Sequence, residues 1–236
     1  MKRKPCLIDD CRTCGLRTTS IVCDLAGDEL ASFQDMKRSL LFEPHQVVFY
    51  EGHVCLGLYL LCAGRVKLTR TSARGHRLIV GILDAGDLIE KHAWRDRALH
   101  EVTCETMERS QICVIDKERY LALLKRNPGL AVKLLQSVSR ELGAQTDRLE
   151  AFAFKTARER VAGLLLELAE RFGRSAGDGL QVGIPLKREE LAEMAGVAVE
   201  TVIRLLGAFR DQGLVSLGEK TITLMNRDRL VRIAGH

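Results

Sequence analysis

The sequence predicts an α+β chain with a strand-rich N-terminal half, one long central helix and a C-terminal winged helix-turn-helix. Three observations carry this. Between Phe42 and Ile115, short β-branched runs alternate with glycines at 52, 57, 64, 75, 81 and 86, the texture of a sandwich or rolled barrel. Leu135, Val138, Leu142, Gln145, Leu149 and Phe152 recur at spacings of 3, 4, 3, 4 and 3, a two-per-heptad seam. Two short helical patterns flanking Gly196 are followed by a hairpin pattern.

The chain has 236 residues, 46% hydrophobic and 28% charged, with a net charge of +5 and a pI near 8.8. That composition is globular rather than disordered. The mild positive charge permits a nucleic-acid partner without demanding one. The basic start Lys2-Arg3-Lys4 turns polar at Asp9-Asp10 before any apolar stretch builds, so no secretory leader is expected. The longest apolar stretch, near Val54 to Ala63, is too short to span a bilayer. The expectation is a soluble, cytoplasmic protein without a membrane partner.

Four regions follow along the chain. Residues 1–24 form an arm with little periodicity that holds Cys6, Cys11, Cys14 and Cys23. Residues 25–126 form the strand-rich domain, opened by an amphipathic helix over 27–40 capped by Asp28. Strands are expected at Val47–Tyr50, Leu58–Leu61, Arg65–Arg70, Leu78–Leu83, Val102–Glu105 and Gln111–Ile115. Residues 127–154 form the long helix, with Pro128 in its first turn. Its seam either packs on its own domain or pairs with a second copy, with Gln145 as the polar residue that sets register. Residues 155–236 hold a helix over 155–172, a glycine-rich loop over 173–183, and the helix-turn-helix.

In that last segment Leu186–Ala195 reads as a first helix and Val199–Arg210 as a second. Leu214–Ser216 and Thr221–Leu224 form the wing. Second helices of this kind present their N-terminal residues to base edges in the major groove. Arg204 can donate two hydrogen bonds to guanine, Glu200 can accept from cytosine, and Ile203 can touch a thymine methyl. The plain alternative for Glu200 and Arg204 is an i,i+4 ion pair on a solvated face. Lys187, Arg188 and Thr201 suit phosphate contact. Residues 155–236 carry 13 basic against 11 acidic residues, so pattern rather than bulk charge argues for DNA.

Eight cysteines are many for a chain expected in a reducing compartment, where structural disulfides are rare. An arm with no core gives its four thiols nothing to pack against, whereas thiolates are the ligands of iron–sulfur clusters and of zinc. Cys6-x4-Cys11-x2-Cys14 is one spacing used for iron–sulfur ligation. Cys62 and Cys104 stand in apolar strand contexts and read as core residues, while Cys55 carries no assigned role. Arg65, Lys67, Arg70, Arg74 and Arg77 form a run without acids in one hairpin. It reads as a solvated face or as a surface for RNA polymerase. No G-x-G-x-x-G or P-loop pattern is present, which counts against a redox enzyme or electron carrier.

The stretch Val199-Glu-Thr-Val-Ile-Arg-Leu-Leu-Gly-Ala-Phe resembles the recognition helix, with its E-T-x-x-R motif, of the bacterial family of the cyclic-AMP receptor protein and the fumarate–nitrate reduction regulator. Arg158-Glu-Arg-Val-Ala resembles the start of that family's DNA-binding domain. Gly64-Arg-Val-Lys-Leu and Ala85-Gly-Asp-Leu resemble turns of its β-roll. The resemblance implies an N-terminal cyclic-nucleotide-binding-like β-roll, a dimerisation helix and a winged helix-turn-helix. It further implies a homodimeric transcription regulator and activator that binds palindromic sites containing TTGA.

Nucleotide-binding members carry a Gly-Glu followed by Arg-Ser or Arg-Thr. Here Gly86-Asp87 is followed, after Leu88, by Ile89-Glu90-Lys91-His92-Ala93-Trp94, and no cyclic nucleotide is expected. Cys11-x2-Cys14 and Glu108-Arg-Ser-Gln-Ile-Cys113-Val-Ile resemble instead the oxygen-sensing branch. The ligands of a [4Fe–4S] cluster would then be Cys11, Cys14, Cys23 and Cys113. Eight residues separate Cys14 from Cys23, more than the family has, and Cys6 is the substitute for Cys23. Zinc as the metal, or a thiol- or nitric-oxide-responsive regulator of the same fold, are the alternatives.

Overall fold

The computed structural model describes residues 10–12, 14, 25–89, 98–177 and 179–235. It divides into two compact units, Met1–Leu142 and Gly143–His236.

The N-terminal unit opens with helix α1 (Gly27–Met36), followed by strands β1 (Lys37–Phe42), β2 (Val47–Phe49), β3 (Leu58–Ala63) and β4 (Arg65–Thr71). Next come β5 (Arg77–Asp84), β6 (Leu88–Ile89), β7 (Thr103–Thr106), β8 (Ser110–Ile115), helix α2 (Lys117–Arg126) and the start of α3 (Pro128–Phe154). The strands form two antiparallel sheets, ordered β1-β8-β3-β6 and β2-β7-β4-β5.

Side-chain alternation splits the apolar residues of β3 and β8 between two cores. Leu61 and Ile112 join Phe49, Val66, Ile89 and Cys104 in one. Leu58, Leu60, Cys62, Cys113 and Ile115 face the helices, meeting Phe33, Tyr120 and Leu130. Asn127 caps α3 by accepting from the Leu130 N–H at 3.0 Å, which leaves Pro128 where no N–H is needed. Gly64, at φ 83°, turns β3 into β4. A Cβ there would meet the Ser110 hydroxyl and lie 2.6 Å from the Arg109 carbonyl, so only glycine fits.

Two expectations fail at the start of this unit. The first helix stops at Met36, and 37–42 is a strand. Its backbone groups pair with β8, Lys37 opposite Ile115 through Phe42 opposite Ser110. That long-range ladder outweighs the helical look of Ser39-Leu40-Leu41. Asp28 does not cap α1: the cap position is Ala26, without a side-chain bond, and Asp28 stands in the first turn, where its charge suits the helix dipole.

The C-terminal unit holds the end of α3, then α4 (Ala157–Phe172), β9 (Gly173–Ala176), β10 (Gly179–Val182), α5 (Arg188–Ala195) and α6 (Val199–Asp211). It closes with β11 (Val215–Leu217), β12 (Ile222–Leu224) and α7 (Arg227–Ala234). Thr156 caps α4 in a reciprocal box with Glu159. The Thr156 bonds hold the Glu159 carboxyl below the usual carboxylate range. Val161, Leu165, Leu168, Leu206, Phe209 and Leu230 are among its buried residues.

The segment expected as a loop over 173–183 is instead a hairpin, and β10 pairs with β12 to extend the wing into a sheet ordered β11-β12-β10-β9. Helix α7 was not anticipated. It is short, capped by Asn226 accepting from the Arg229 N–H, and it packs on α4.

Arg160 ties the unit's elements together. Its guanidinium donates to the Lys155 carbonyl at 2.8 Å, to the Ala195 carbonyl at 3.0 Å and to the Gly196 carbonyl at 3.5 Å. It also lies 5.6 Å from the centre of the Phe152 ring. Three carbonyls from the end of α3 and from the helix-turn-helix corner thus converge on one cation. Arg160→Ala should lower stability by about 2 kcal/mol, since charge-assisted bonds to carbonyls are lost. Calorimetry should show a lower melting midpoint, and Arg160→Lys should rescue it only partly because a single ammonium lacks the planar fork.

Candidate functional site

The DNA-reading candidates sit on α5 and α6. Helix α5 begins at Arg188, two residues later than the sequence pattern suggests, with Lys187 at the cap. The Glu190 carboxylate accepts from the Lys187 N–H at 3.0 Å. Lys187 is exposed and Arg188 half-buried at this N-terminus, where backbone N–H groups favour anions. Ala192 and Ala195 are buried, and Gly196 at φ 61° ends α5. A Cβ on Gly196 would run into the Phe152 ring. The corner is tight on both sides, which is why small residues occupy it.

On α6, Val202, Leu205, Leu206 and Phe209 are buried. The apolar stripe fixes the helix against its unit and turns the opposite face outward. Glu200, Ile203 and Arg204 are exposed on that face and Thr201 is half-buried. Among the described residues no ion pair joins Glu200 to Arg204, so the solvated-pair alternative is not realised. Ile203 is 55% exposed, an unusual position for a β-branched apolar side chain on an otherwise well-packed helix.

The seam residues of α3 are also outward. Leu135, Val138, Leu142, Leu149 and Phe152 are exposed, Leu142 at 67% and Leu149 at 71%, and Gln145 is exposed between them. Only Leu130 and Leu134 of α3 are buried. The alternative in which the seam packs on its own domain therefore fails for Leu135, Leu142 and Leu149. Phe152 is a mixed case, since its ring also lies on Gly196 and beneath Arg160.

Sulfur gathers at the helix-facing core of the N-terminal unit. Cys113 on β8 is 3% exposed, and Cys11, Cys14 and Cys55 pack against the same core. Gln34 of α1 accepts from the Cys11 N–H at 2.8 Å, anchoring that part of the arm. Cys6 and Cys23 lie outside the described residues. Cys62, expected as plain core, is buried but also donates from Sγ to Cys113 Sγ at 2.9 Å. That bond, then burial, push the Cys62 thiol far above its usual range. The sequence offered no signal for this contact, because the two residues stand 51 apart. Cys104 is fully buried in the other core, as expected.

The donor chemistry suits a soft metal centre. Among the described residues, however, no three such groups converge closely enough to close a ligand shell.

The positive run of the β4–β5 hairpin is not a solvated face throughout. Lys67 is buried and lies 3.2 Å from Glu105. Arg65 lies 3.8 Å from both Asp84 and Glu108, and Arg70 lies 3.5 Å from Glu51. Asp84 ends β5, Glu105 comes from β7, and Glu51 and Glu108 come from turns outside the hairpin, which neighbouring residues in sequence do not reveal. No helix among the described residues is long and apolar enough to cross a membrane.

Comparison with known proteins accounts for both units. Residues 40–127 match the cyclic nucleotide-binding domain family, and residues 159–233 match the Crp-like helix-turn-helix domain family. The cyclic AMP receptor protein of Thermus thermophilus is 31% identical over 194 residues, covering 82% of this chain and 87% of that protein. The fumarate and nitrate reduction regulatory protein of Escherichia coli is 27% identical over 227 residues, covering 96% and 90%.

Among solved structures, FixK2 of Bradyrhizobium japonicum superposes with a TM-score of 0.72 at 23% identity, covering 84% of this chain and 96% of that one. The regulator CLP of Xanthomonas campestris superposes with a TM-score of 0.75 at 21% identity, covering 84% and 99%. These two show the shared fold. Taken with the sequence relatives, they establish that the chain belongs to the Crp/Fnr family of DNA-binding transcription regulators.

Proposed function

We propose that this regulator senses oxygen or redox state through a [4Fe–4S] cluster held by Cys11, Cys14, Cys23 and Cys113, with Cys6 able to replace Cys23. The observation that carries the reading is the placement of Cys11 and Cys14 against the core that contains Cys113. An arm and a strand far apart in sequence supply thiols to one region. Such a cluster, when bound, supplies an oxygen-labile link between these thiols. Cys11 and Cys113 tie the arm and β8 to the core that also contains Leu130 and Leu134 of α3. Holding the arm there would bias α3 toward pairing.

The exposed stripe Leu135, Val138, Leu142, Gln145, Leu149 and Phe152 then forms the homodimer seam. Pairing would carry two copies of α6 to the half-sites of a two-fold symmetric DNA site. Arg204 reads guanine, Glu200 cytosine and Ile203 a thymine methyl, on half-sites of the TTGA type. Lys187, Arg188 and Thr201 grip phosphates. The site of action is the cytoplasm, with RNA polymerase as the further partner. A cyclic nucleotide is not proposed as a ligand, because Gly86-Asp87 lacks the following Arg-Ser or Arg-Thr pair. A thiol-responsive regulator is the second reading, favoured by the Cys62–Cys113 contact. A zinc- or nitric-oxide-responsive regulator remains an outcome of the metal analysis.

Protein purified without air should contain iron and acid-labile sulfide and should lose DNA affinity on exposure to air. Zinc without sulfide, or unchanged affinity, would reject the sensor. Arg204→Ala should cost about 1–3 kcal/mol per half-site and remove sequence preference in a gel-shift competition while leaving iron content unchanged. Leu142→Glu, at a solvent-facing seam position, should leave the melting midpoint of the monomer close to wild type. It should shift sedimentation toward the monomer and weaken binding to the full palindrome far more than to one half-site.

A further inference from the structure

Strands β3 and β8 run antiparallel with Leu60 opposite Cys113 and Leu61 opposite Ile112, after which the register slips so that Ala63 faces Gln111. Cys62 is the extra residue of that irregularity. Alternation along β3 keeps Cys62 on the face of Leu58 and Leu60, the side that shares a core with Cys113. The two thiols meet at 2.9 Å. A disulfide bond is about 2.05 Å long, so closure brings the two sulfurs roughly 1 Å nearer, between adjacent strands in which Cys113 stands opposite Leu60.

A free cysteine packs as a small apolar side chain, so it is the contact between the two sulfurs, rather than their burial, that sets this pair apart. Cys62 is 8% exposed and Cys113 3%. Burial to this degree favours a small oxidant over a bulky one.

We propose that Cys62 and Cys113 form a reversible disulfide when the protein meets a peroxide, and that this bond withholds Cys113 from metal. The second half rests on the reading of Cys113 as a cluster ligand; the first does not. In the first step the Cys113 thiolate sulfur attacks one oxygen of hydrogen peroxide. The O–O bond breaks, the proton given up as the Cys113 thiolate forms joins the leaving hydroxide as water, and Cys113 becomes a sulfenic acid. The Cys62 sulfur then attacks the Cys113 sulfur and the S–O bond breaks. The departing hydroxide takes the Cys62 proton and leaves as water. Two thiols and one peroxide become one disulfide and two waters. The sulfur pair loses two electrons and the peroxide gains them. A thiol reductant reverses the bond by exchange.

Because one sulfur cannot serve both bonds, the oxidised pair would keep the sensor empty until a reductant opens it. Loss of a cluster would then be remembered after the oxidant is gone.

The test uses the full chain, stripped of metal by a chelator without air, treated with one equivalent of hydrogen peroxide, quenched in acid, alkylated and digested. The expected result is a peptide carrying Cys62 joined to the peptide carrying Cys113, two hydrogens lighter than the pair, that disappears on reduction. Recovery of both cysteines singly alkylated, or Cys113 joined to Cys11 or Cys14 instead, overturns the proposal.

Iron and sulfide uptake decides the second half. Oxidised wild type should lose most of its uptake and regain it with dithiothreitol, whereas Cys62→Ser, lacking the resolving sulfur, should take up iron when kept reduced and after peroxide should hold Cys113 as a sulfenic acid that dimedone traps. Cys62→Ala serves the same purpose should the serine variant fold poorly. Equal uptake by cross-linked and reduced wild type overturns the withholding. If reduced wild type and both variants bind no iron, the cluster reading is what fails, and the peptide map still decides the disulfide.

Discussion

Strand β8 is the constraint on which the N-terminal unit depends. It lies between β1 and β3, so both of its edges are hydrogen-bonded, and both of its faces are covered. Ile112 points into the core between the sheets, and Cys113 and Ile115 point into the core beneath the helices. A strand enclosed on four sides has no freedom to slip, because a one-residue shift would exchange the two faces. Cys113 is therefore held in place by the most constrained segment of the unit. The one local relaxation in its ladder with β3 falls at Cys62. Rigid placement of one sulfur and local adaptability of the other meet at a single contact.

In the C-terminal unit the corresponding role falls to a side chain rather than a strand. The helix-turn-helix is small, and its corner at Gly196 has almost no room. Arg160 gathers carbonyls from that corner and from the end of α3 while covering the Phe152 ring. The outward face of α6 can then be given over to Glu200, Ile203 and Arg204, because the inward stripe and the Arg160 clamp already fix the helix. Leaving polar and apolar side chains exposed for a ligand is affordable only where the scaffold beneath them is rigid.

Charged and apolar side chains that start out on the surface are treated differently along the chain. Charged side chains of the β4–β5 hairpin are neutralised by acids that the fold brings to them. Leu135, Leu142 and Leu149 of α3 stay exposed in the single chain. The homodimer seam proposed above would bury them.

The longer helices, the wing and most of the strands were legible from residue order, since periodicity and turn chemistry are local; the short helix α7 was not. The recognition face was legible for the same reason: the spacing of Val202, Leu205, Leu206 and Phe209 dictates which residues remain outside. The seam was visible as a pattern, but whether it was covered by its own chain was not. Strand β1 was misread because its partner β8 lies far along the chain; the hairpin β9–β10 pairs locally, but its glycine-rich residues carry little apolar alternation and the partner that anchors it, β12, is distant. The Cys62–Cys113 contact belongs to the same class. What residue order alone determined was the kind of element and the face each presents, because 3.6- and 2-residue periods are short-range properties. Which sulfur meets which, and which cations find acids, was decided only by tertiary pairing, because those distances depend on strand register between segments that local periodicity never compares.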